Sequence, residues 1–464
     1  MTTSQNVLQL LRAYESRNIT QIEPDGSWPI VWERAQGVHA WDANGKKYLD
    51  LTAAFGVAAA GHANARVVAA GQGQMTRLLH AMGDVHPHAL KAQLARELSR
   101  ITFERWPAPD RNSQIPNHTS AKTIFCNSGF EAVEAALKTA MLATGKPGII
   151  AFTGAYHGLG YGTLNATHRD HFRAPFRSQL GEFGHFVPFP VAADVRRLNS
   201  RSKRAVILNL KNEPPYVGCY EVEKHIRSIF RREQIGAILV EPIQGRGGIN
   251  VPSKEFLPLL RQLCDESGTL LILDEIYTGM GRAGKWFACE HSKTVPDVIC
   301  LGKALTGGFP LSACVGRTDL MDAAWPPSNG EAIHTSTFLG HPVGCAMALA
   351  QIREIRRLGL VQRSERLGRT LLKTLQSRIS IPHLQIAARG LGLMAGLELR
   401  LPNGAPATAM ALRAVKQMLQ RGFILLPEGE FSNVISFTPP LVISERQLLS
   451  TVEHLAEVLD ECEP

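Results

Sequence analysis

The feature that most constrains the fold is an alternation of short apolar segments with helical patterns through the middle of the chain. Between about Gly61 and Asp322, apolar runs of four or five residues recur and are separated by helical stretches. Alternating β and α segments predict a mostly parallel sheet with helices on both faces, that is, an α/β fold. The runs are Thr123–Cys126, Gly148–Phe152, Ala205–Leu208, Ala237–Val240, Leu270–Leu273 and Val298–Leu301.

The regions on either side of this alternation have different patterns. A short apolar-faced helix is expected at Val7–Ala13, and Asn44-Gly45 between alternating segments predicts a β-hairpin. A long helical pattern from Gly344 to Leu358 leads into mixed helices and strands. We therefore divide the chain into an N-terminal segment (1–60) that packs with the small domain, a large domain (61–330), and a helix linker with a small α+β C-terminal domain (331–464).

Two of the apolar runs end in polar residues that packing does not explain. Leu270–Leu273 is followed by Asp274, and Val298–Leu301 is followed by Gly302 and Lys303. Ligands of open α/β sheets bind just beyond the carboxyl ends of the strands. An acid and an amine at this edge suit pyridoxal 5'-phosphate (PLP), which binds a lysine as a Schiff base and places its pyridinium nitrogen against an acid. The large domain is thus predicted to bind PLP.

Three further motifs could contribute to this site, and each has a simpler structural reading. The turn Asn127–Phe130 opens a helix whose N–H groups could bind a phosphate, although Ser128 could instead be an ordinary N-cap. Tyr156 beside Gly158 could stack on a pyridine ring or pack in a turn. Glu241 ends another apolar run and reaches the same sheet edge as Asp274.

Composition excludes some classes of protein. The 464 residues carry a net charge of +9, and the basic clusters Arg196–Arg204 and Arg353–Arg357 lack the aromatic interleaving of a nucleic-acid site. We interpret them as solvated faces, with attraction of anionic substrates as an alternative. The eight cysteines form no Cys-x-x-Cys pair, so no metal site or disulfide framework is expected. No signal-peptide pattern or membrane-length apolar run is evident, which favours the cytoplasm and no membrane partner.

Taken in order, the motifs closely resemble the class III pyridoxal-phosphate aminotransferases, which include ornithine, acetylornithine and 4-aminobutyrate aminotransferases. The resemblance extends from Trp41 to Leu441 and implies a fold-type I PLP-dependent transferase. It also implies a ping-pong transfer of an amino group from an amine or amino acid to a 2-oxo acid, by default 2-oxoglutarate. The motifs are Asn127-Ser128-Gly129, Tyr156-His157-Gly158, Val240–Gly245, Asp274–Arg282, Gly302–Leu305 and Ser336-Thr337-Phe338.

The resemblance implies a role for each matching residue. Lys303 would hold the cofactor covalently and move the substrate proton, and Asp274 would keep the pyridine nitrogen protonated. Thr337 would reach the phosphate bound by the neighbouring subunit, which implies a homodimer with shared active sites. The other implied cofactor contacts are the backbones of Ser128, Gly129 and Phe130 at the phosphate, Tyr156 and His157 at the ring, Glu241 at its edge and Tyr277 at its O3'.

The chain departs from the family at positions that concern the substrate. Arg246 stands where many members carry a Glu, and Ser436 stands where they carry a carboxylate-binding Arg. Phe130 replaces a usual Thr, and Phe55 falls where ornithine-specific members have a substrate-binding Tyr. We hypothesise that Arg246 binds a substrate carboxylate, because its planar fork can bind that group bidentately. The alternative is a surface or interface arginine.

Two other kinds of function compete with amino transfer. Aminomutases, racemases and decarboxylases share the fold and have near-identical cofactor residues. A PLP-free binding module that uses the basic clusters on nucleic acid is the second alternative, and the presence of both Lys303 and Asp274 argues against it.

Overall fold

The computed structural model describes residues 3–106, 120–191 and 217–462. The predicted strand Ala205–Leu208 and the cluster Arg196–Arg204 lie outside these ranges. The strands are β1 Trp32–Gln36, β2 His39–Asp42, β3 Lys47–Asp50, β4 Ala121–Cys126, β5 Gly148–Phe152, β6 Gly184–Val187, β7 Ile235–Val240, β8 Leu270–Asp274, β9 Val298–Leu301, β10 Ser312–Arg317, β11 Gln385–Leu391, β12 Met394–Arg400, β13 Phe423–Ile424, β14 Leu426–Glu428 and β15 Val434–Phe437.

Helices of very different lengths connect the strands. The α-helices are Ser4–Tyr14, Ala65–Met75, Ala89–Ile101, Gly129–Thr144, Tyr161–Leu164, Asp170–Arg173, Val217–Phe230, Phe256–Ser267, Thr318–Ala324, Pro342–Arg357, Leu360–Arg378, Thr408–Gln420 and Glu445–Glu461, and Ala53–Gly56 forms a single left-handed turn. Short 3₁₀ turns occur at Ala174–Gln179, Ala288–His291 and Lys303–Leu305. None of the helices in the described ranges has the length and apolar character needed to cross a bilayer.

The central sheet has seven strands in the order β4-β10-β9-β8-β7-β5-β6. Neighbouring strands from β9 to β6 are parallel, whereas β10 runs antiparallel to both β4 and β9. The predicted mostly parallel sheet is therefore confirmed. The apolar runs lie in its centre, where every residue of β5, β7 and β9 is buried.

Helices cover both faces of this sheet, as the α/β pattern predicts. On one face, helix Gly129–Thr144 packs closely because its buried side is made mostly of alanine, including Ala132, Ala136 and Ala140. On the other face, larger apolar side chains of helices Ala89–Ile101 and Phe256–Ser267 belong to the main core cluster. Removing this apolar surface from water is the main stabilising contribution to such a fold.

The N-terminal sheet has the order β1-β2-β3-β13. Strands β2 and β3 form the predicted hairpin, and Gly45 in its turn has a φ of +86°, a value that glycine adopts readily. The buried Asp42 accepts hydrogen bonds from the backbone N–H groups of Asn44 and Lys46 and from the Tyr48 hydroxyl. Strand β3 also pairs in parallel with β13, which comes from the C-terminal part of the chain.

The third sheet is antiparallel, with the order β11-β12-β15-β14. Buried side chains of helices Leu360–Arg378, Thr408–Gln420 and Glu445–Glu461 belong to the same core cluster as those of its strands. Together, these elements form the smaller α+β unit that the sequence predicts. In its register, Leu426 of β14 lies opposite Ser436 of β15, and Glu428 lies opposite Val434.

Candidate active site

The central sheet brings Asp274 and Lys303 to the same edge. Strands β8 and β9 are parallel neighbours, and Asp274 pairs with Cys300 at the end of their register. The chain then turns through Gly302, and Lys303 has a φ of +41°. Such a left-handed conformation is uncommon for a residue with a side chain and is often found at functional sites.

Both residues line a cavity of about 330 Å³, within the size range of small-molecule sites. The structure also brings Tyr156, His157, Glu241, Tyr277, Arg246, Gly129 and Phe130 of the predicted site to this cavity. The complete lining is Gly129, Phe130, Tyr156, His157, Gly158, Leu159, Glu241, Arg246, Asp274, Ile276, Tyr277 and Lys303.

A larger cleft of about 620 Å³ lies between the N-terminal helix and the β2–β3 hairpin. Its buried acid, Asp42, is already satisfied by the hairpin's own hydrogen bonds. The smaller cavity instead combines a lysine, two buried acids and a buried histidine. The chemistry of the lining, rather than the size, therefore identifies the candidate site.

The carboxylate of Asp274 is held from two sides. Its Oδ2 lies 2.8 Å from Nδ1 of His157, and its Oδ1 accepts a hydrogen bond from the Ile276 N–H at 3.1 Å. His157 is itself buried, and its backbone N–H donates to Thr167. The other ring nitrogen, Nε2, is buried and has no hydrogen-bond partner among the described residues. Asp274 is therefore oriented, while one polar atom of its partner remains unused.

Lys303 is surrounded by groups that affect its protonation. Burial lowers the pKa of its ammonium to about 8, although Asp274 and Glu241 oppose the shift. Its Nζ lies 3.7 Å from the centroid of the Tyr277 ring. A lysine with a pKa this close to neutrality is a much better nucleophile and base than an exposed one.

The Tyr277 ring lies between two glycines. A Cβ on Gly56 or on Gly245 would come within 2.5 Å of the ring, so neither position has room for a side chain. The hydroxyl lies 3.1 Å from Oγ1 of Thr438, which itself donates to the carbonyl of Thr52. The Tyr277 hydroxyl therefore donates to Thr438, and the ring position is fixed from three sides.

The segment next to this tyrosine is a left-handed turn. Ala53, Ala54, Phe55 and Gly56 have φ values of +47°, +48°, +60° and +82°. Only the last is a glycine, and each non-glycine residue in this conformation costs about 1–2 kcal/mol. Phe55 is 53% exposed and does not line the cavity. The predicted contact between Phe55 and a substrate is therefore not formed within the cavity of this single chain.

Glu241 accepts two backbone hydrogen bonds. Its Oε1 and Oε2 bond the N–H groups of Tyr156 and Gly245 at 3.1 and 2.9 Å. Burial raises its pKa to about 7, against the effect of His157. Glu241 thus joins the loop that carries the predicted stacking tyrosine to the glycine-rich loop that carries Arg246.

The predicted phosphate cup is only partly open. The Glu131 carboxylate accepts hydrogen bonds from the N–H groups of Asn127 and Ser128 at 2.9 and 2.7 Å. The N–H of Ser128 is therefore engaged, and Ser128 does not line the cavity. Gly129 and Phe130 occupy the first turn of the helix, where N–H groups lack intrahelical partners.

Arg246 lines the cavity near an acid that was not found from the sequence. Its Nε lies 3.8 Å from Oε2 of Glu428, and its guanidinium carbon lies 5.1 Å from the centroid of the Tyr156 ring. Its carbonyl accepts hydrogen bonds from the Arg169 guanidinium and the Gly429 N–H. Glu428 ends the three-residue strand β14, and nothing in the local pattern distinguishes it from an ordinary turn acid.

Like Phe55 and Ser128, Thr337 and Ser436 lie outside the cavity lining. Thr337 is exposed in the turn before helix Pro342–Arg357. Ser436 is buried in β15, where its hydroxyl donates to the carbonyl of Leu426 at 3.0 Å. Ser436 therefore makes a structural hydrogen bond and offers no cation to a substrate. Ile276 and Leu159 line the cavity but were not found from the sequence, because apolar side chains carry no chemical signal.

The residues present fit PLP. The cavity places a low-pKa lysine, an oriented carboxylate and an unpartnered buried histidine nitrogen around one volume. Gly158 leaves no room for a side chain, since a Cβ there would lie 2.3 Å from the Cβ of Phe130. This combination matches the lysine, acid and close backbone approach that the cofactor needs.

Comparisons with known proteins show the family of the chain. The profile of the family described as "Aminotransferase class-III" matches residues 22–459. The chain is 34% identical over 465 residues to the 5-aminovalerate aminotransferase DavT of Pseudomonas aeruginosa, with 99% of each chain covered. It is 32% identical over 469 residues to the 4-aminobutyrate aminotransferase GabT of Escherichia coli, again with 99% of each covered.

Solved structures share the whole fold. A Bacillus anthracis aminotransferase superposes with a TM-score of 0.83 at 25% identity, with 100% of both chains covered. A PLP-bound amine transaminase from an uncultivated Pseudomonas species superposes with a TM-score of 0.82 at 26% identity, covering 97% of this chain and 99% of that one. This chain therefore belongs to the class-III aminotransferases and is a pyridoxal phosphate-dependent transaminase.

Proposed function

We propose that the protein transfers an amino group from an amine or amino acid to a 2-oxo acid, with 2-oxoglutarate as the default acceptor, by a ping-pong reaction. The observation that carries this proposal is the convergence of Lys303 and Asp274 on one cavity. Bound PLP supplies an aldehyde that condenses with amines and a ring that delocalises the electron pair left on the substrate carbon.

Lys303 is the proposed catalytic base and the point of cofactor attachment. In its neutral form, Nζ can attack a carbonyl, and it can then carry the proton removed from the amine-bearing carbon of the substrate. Asp274 is proposed to face the ring nitrogen of the cofactor. The contacts of its carboxylate with His157 and the Ile276 N–H support this role, since they fix where its charge lies.

The remaining cofactor contacts follow from the lining of the cavity. We assign the phosphate to the first-turn backbone of Gly129 and Phe130, with Ser128 at the margin because its N–H bonds Glu131. Tyr156 and His157 are assigned to the ring. The cofactor roles of Glu241, at the ring edge, and Tyr277, at O3', are proposed on the same basis, although the Tyr277 hydroxyl is engaged with Thr438.

Arg246 is the proposed contact for a substrate carboxylate. It lines the cavity, and its side chain is 38% exposed, so it is accessible to a ligand. The names of the relatives suggest donors with an amino group at the end of a chain, such as 5-aminovalerate and 4-aminobutyrate. Phe55 is proposed as a substrate contact in an assembled active site.

The protein is proposed to act as a homodimer. A band of exposed apolar residues supports this, because contiguous patches of this kind usually mark interfaces. Phe338 packs against His80, and Thr335 bonds Asp84, which joins the two segments of the band. Thr337, exposed within it, would then reach the partner's phosphate. The band consists of Met75, Leu78, Leu79, Met82, Val85, Ile333 and Phe338.

We also propose a division of the chain into 1–60, 61–330 and 331–464. The pairing of β3 with β13 supports packing of the first segment with the small C-terminal domain. A cytoplasmic location is proposed because all eight cysteines are free thiols, a state that a reducing compartment maintains.

A half-reaction screen tests the proposed function. Purified PLP-loaded protein is mixed with 5-aminovalerate, 4-aminobutyrate, putrescine or N-acetylornithine, and the oxo product and the cofactor absorbance are followed. We expect loss of the band, release of the oxo product, and recovery of the band when 2-oxoglutarate is added. Lys303→Ala should lose both the band and turnover. Racemisation or decarboxylation without net amino transfer would contradict the proposal.

A further inference from the structure

The ring of Tyr277 is held in the cavity by its two edges and its hydroxyl. A Cβ on Gly56 would lie 2.5 Å from Cε2, on one edge of the ring, and a Cβ on Gly245 would lie 2.5 Å from Cδ1, on the opposite edge. The hydroxyl is bonded to Thr438 at 3.1 Å. These contacts fix the plane of the ring, and one of its faces is turned towards Lys303.

The head group of Lys303 has a short-range contact only with this ring face. Its Nζ lies 3.7 Å from the ring centroid, and in the described part of the chain no hydrogen bond or ion pair joins Nζ to another group. The acids Asp274, Glu241 and Glu428 attract the ammonium through charge alone, and the guanidinium of Arg246 repels it. The acids therefore favour the charged lysine, while the ring is the group that can fix its position.

The face of an aromatic ring attracts an ammonium group electrostatically. The attraction acts within about 6 Å of the ring centroid and is larger where water is excluded. Burial raises the pKa of Tyr277 to about 12, so the phenol stays neutral over the pH range in which Lys303 titrates. Tyr277 therefore acts on Lys303 through its ring face, and its hydroxyl remains free to donate to Thr438.

We propose that Tyr277 is a positioning residue whose ring face holds the ammonium of Lys303 whenever this lysine is free of the cofactor. The proposed function requires Lys303 to leave the cofactor and to carry a proton. In that state, its head group needs a contact that favours the charged form and fixes its place in the cavity. The ring face supplies both and does not compete for the proton, because it is not a base. The inference rests on the proposed role of Lys303.

The test compares two rings of nearly equal shape. Tyr277→Phe keeps the ring face, and a trifluorinated phenylalanine at the same position has fluorines that withdraw electron density from that face. Protein loaded with pyridoxamine phosphate leaves Lys303 without a covalent partner, and it is treated with trace acetic anhydride between pH 6.5 and 9.5. Mass spectrometry quantifies acetylation of Lys303 and of the exposed Lys373, which is the internal reference.

The pH midpoint of Lys303 acetylation should follow the ring face. Tyr277→Phe should titrate like wild type, because the face is retained. The trifluorinated ring should lower the midpoint by about half to one pH unit, since a weaker attraction lets the ammonium lose its proton at lower pH. Lys373 should titrate alike in all three proteins. Equal midpoints for the two phenylalanine rings, or a higher one with fluorine, would overturn the proposal and leave the ring a space-filling role.

Two further outcomes are also decisive. If Tyr277→Phe does not fold, the two rings are compared with Thr438→Val added, because replacing both members of a buried hydrogen bond by apolar groups can be nearly neutral. The same lowering by fluorine is then expected, and its absence overturns the inference. If wild type transfers no amino group from any donor, the proposed function fails. The Lys303 midpoints then still decide whether the ring holds the ammonium, because acetylation needs no turnover.

Discussion

At the scale of single residues, the protonation of Lys303 links the structure to reactivity. Lys303 lines the cavity with restricted access to water, and the effect of burial on its pKa outweighs the attraction of Asp274 and Glu241. The pKa of Lys303 is lowered to about 8, so the neutral amine, which is the nucleophile, predominates only when the pH exceeds this value. This places the change in reactivity within an experimentally convenient pH range.

We predict that covalent attachment of PLP to the apoprotein becomes faster as the pH rises through about 8 and then levels off. The reason is that the rate follows the neutral fraction of Lys303, which increases up to this pKa and saturates above it. Stopped-flow absorbance between pH 6.5 and 9.5 measures the rate, and Lys303→Ala is the blank. A rate that does not change over this range would contradict the prediction.

Gly245 offers a second test at this scale. Because a Cβ would come within 2.5 Å of the Tyr277 ring, Gly245→Ala should destabilise the protein by about 1–3 kcal/mol through overpacking. Thermal unfolding measures the change. Gly73→Ala is the matched control: Gly73 is an exposed position of helix Ala65–Met75 where a Cβ would meet nothing within 4 Å, so stability should hold or rise. Equal midpoints for the two variants would contradict this account.

At the scale of elements, the β2–β3 hairpin depends on one buried acid. Asp42 accepts hydrogen bonds from two turn N–H groups and from the Tyr48 hydroxyl, which is itself buried. Asp42→Ala should therefore destabilise the protein by about 2–3 kcal/mol, because the buried Tyr48 hydroxyl and two turn N–H groups lose their acceptor. Chemical unfolding measures this loss. Adding Tyr48→Phe should restore part of it, and a double variant less stable than Asp42→Ala would argue against this cause.

Two strands of the central sheet and one turn were not predicted from the sequence patterns. The sequence pattern does not predict strand β10, because Ser312–Arg317 mixes small, apolar and polar residues. The strand is nevertheless buried, since it lies inside the sheet between β4 and β9 and is antiparallel to both. Strand β6 was missed because it is an edge strand with a single fully buried residue. Ala53 and Ala54 favour a right-handed helix by propensity, but their φ values of +47° and +48° place them in a left-handed turn that local propensity does not predict.

At the scale of the whole molecule, the apolar band around residues 75–85 and 333–338 bears on assembly. We predict that Leu79→Asp, in a side chain that is 60% exposed, converts the proposed dimer to monomers, because a charge buried in the interface without a partner is costly. Light scattering measures the mass, and PLP retention on dialysis should fall with it. Leu412→Asp, on a helix of the small domain, is the control. An unchanged dimer in Leu79→Asp would refute this interface.

The sequence alone predicts the fold class, the cofactor, and the acid and lysine that meet in one cavity. These depend on local signals: apolar runs that form buried strands, and an acid and a lysine at the ends of two of them. The β2–β3 hairpin also depends on a local signal, the Asn44-Gly45 turn. Only the tertiary structure shows that Glu428 lies 3.8 Å from Arg246 and that the Tyr277 ring packs between Gly56 and Gly245. It also shows that Ser436 makes a structural hydrogen bond within a buried strand. Such contacts join residues far apart in the chain, so packing rather than local pattern decides them.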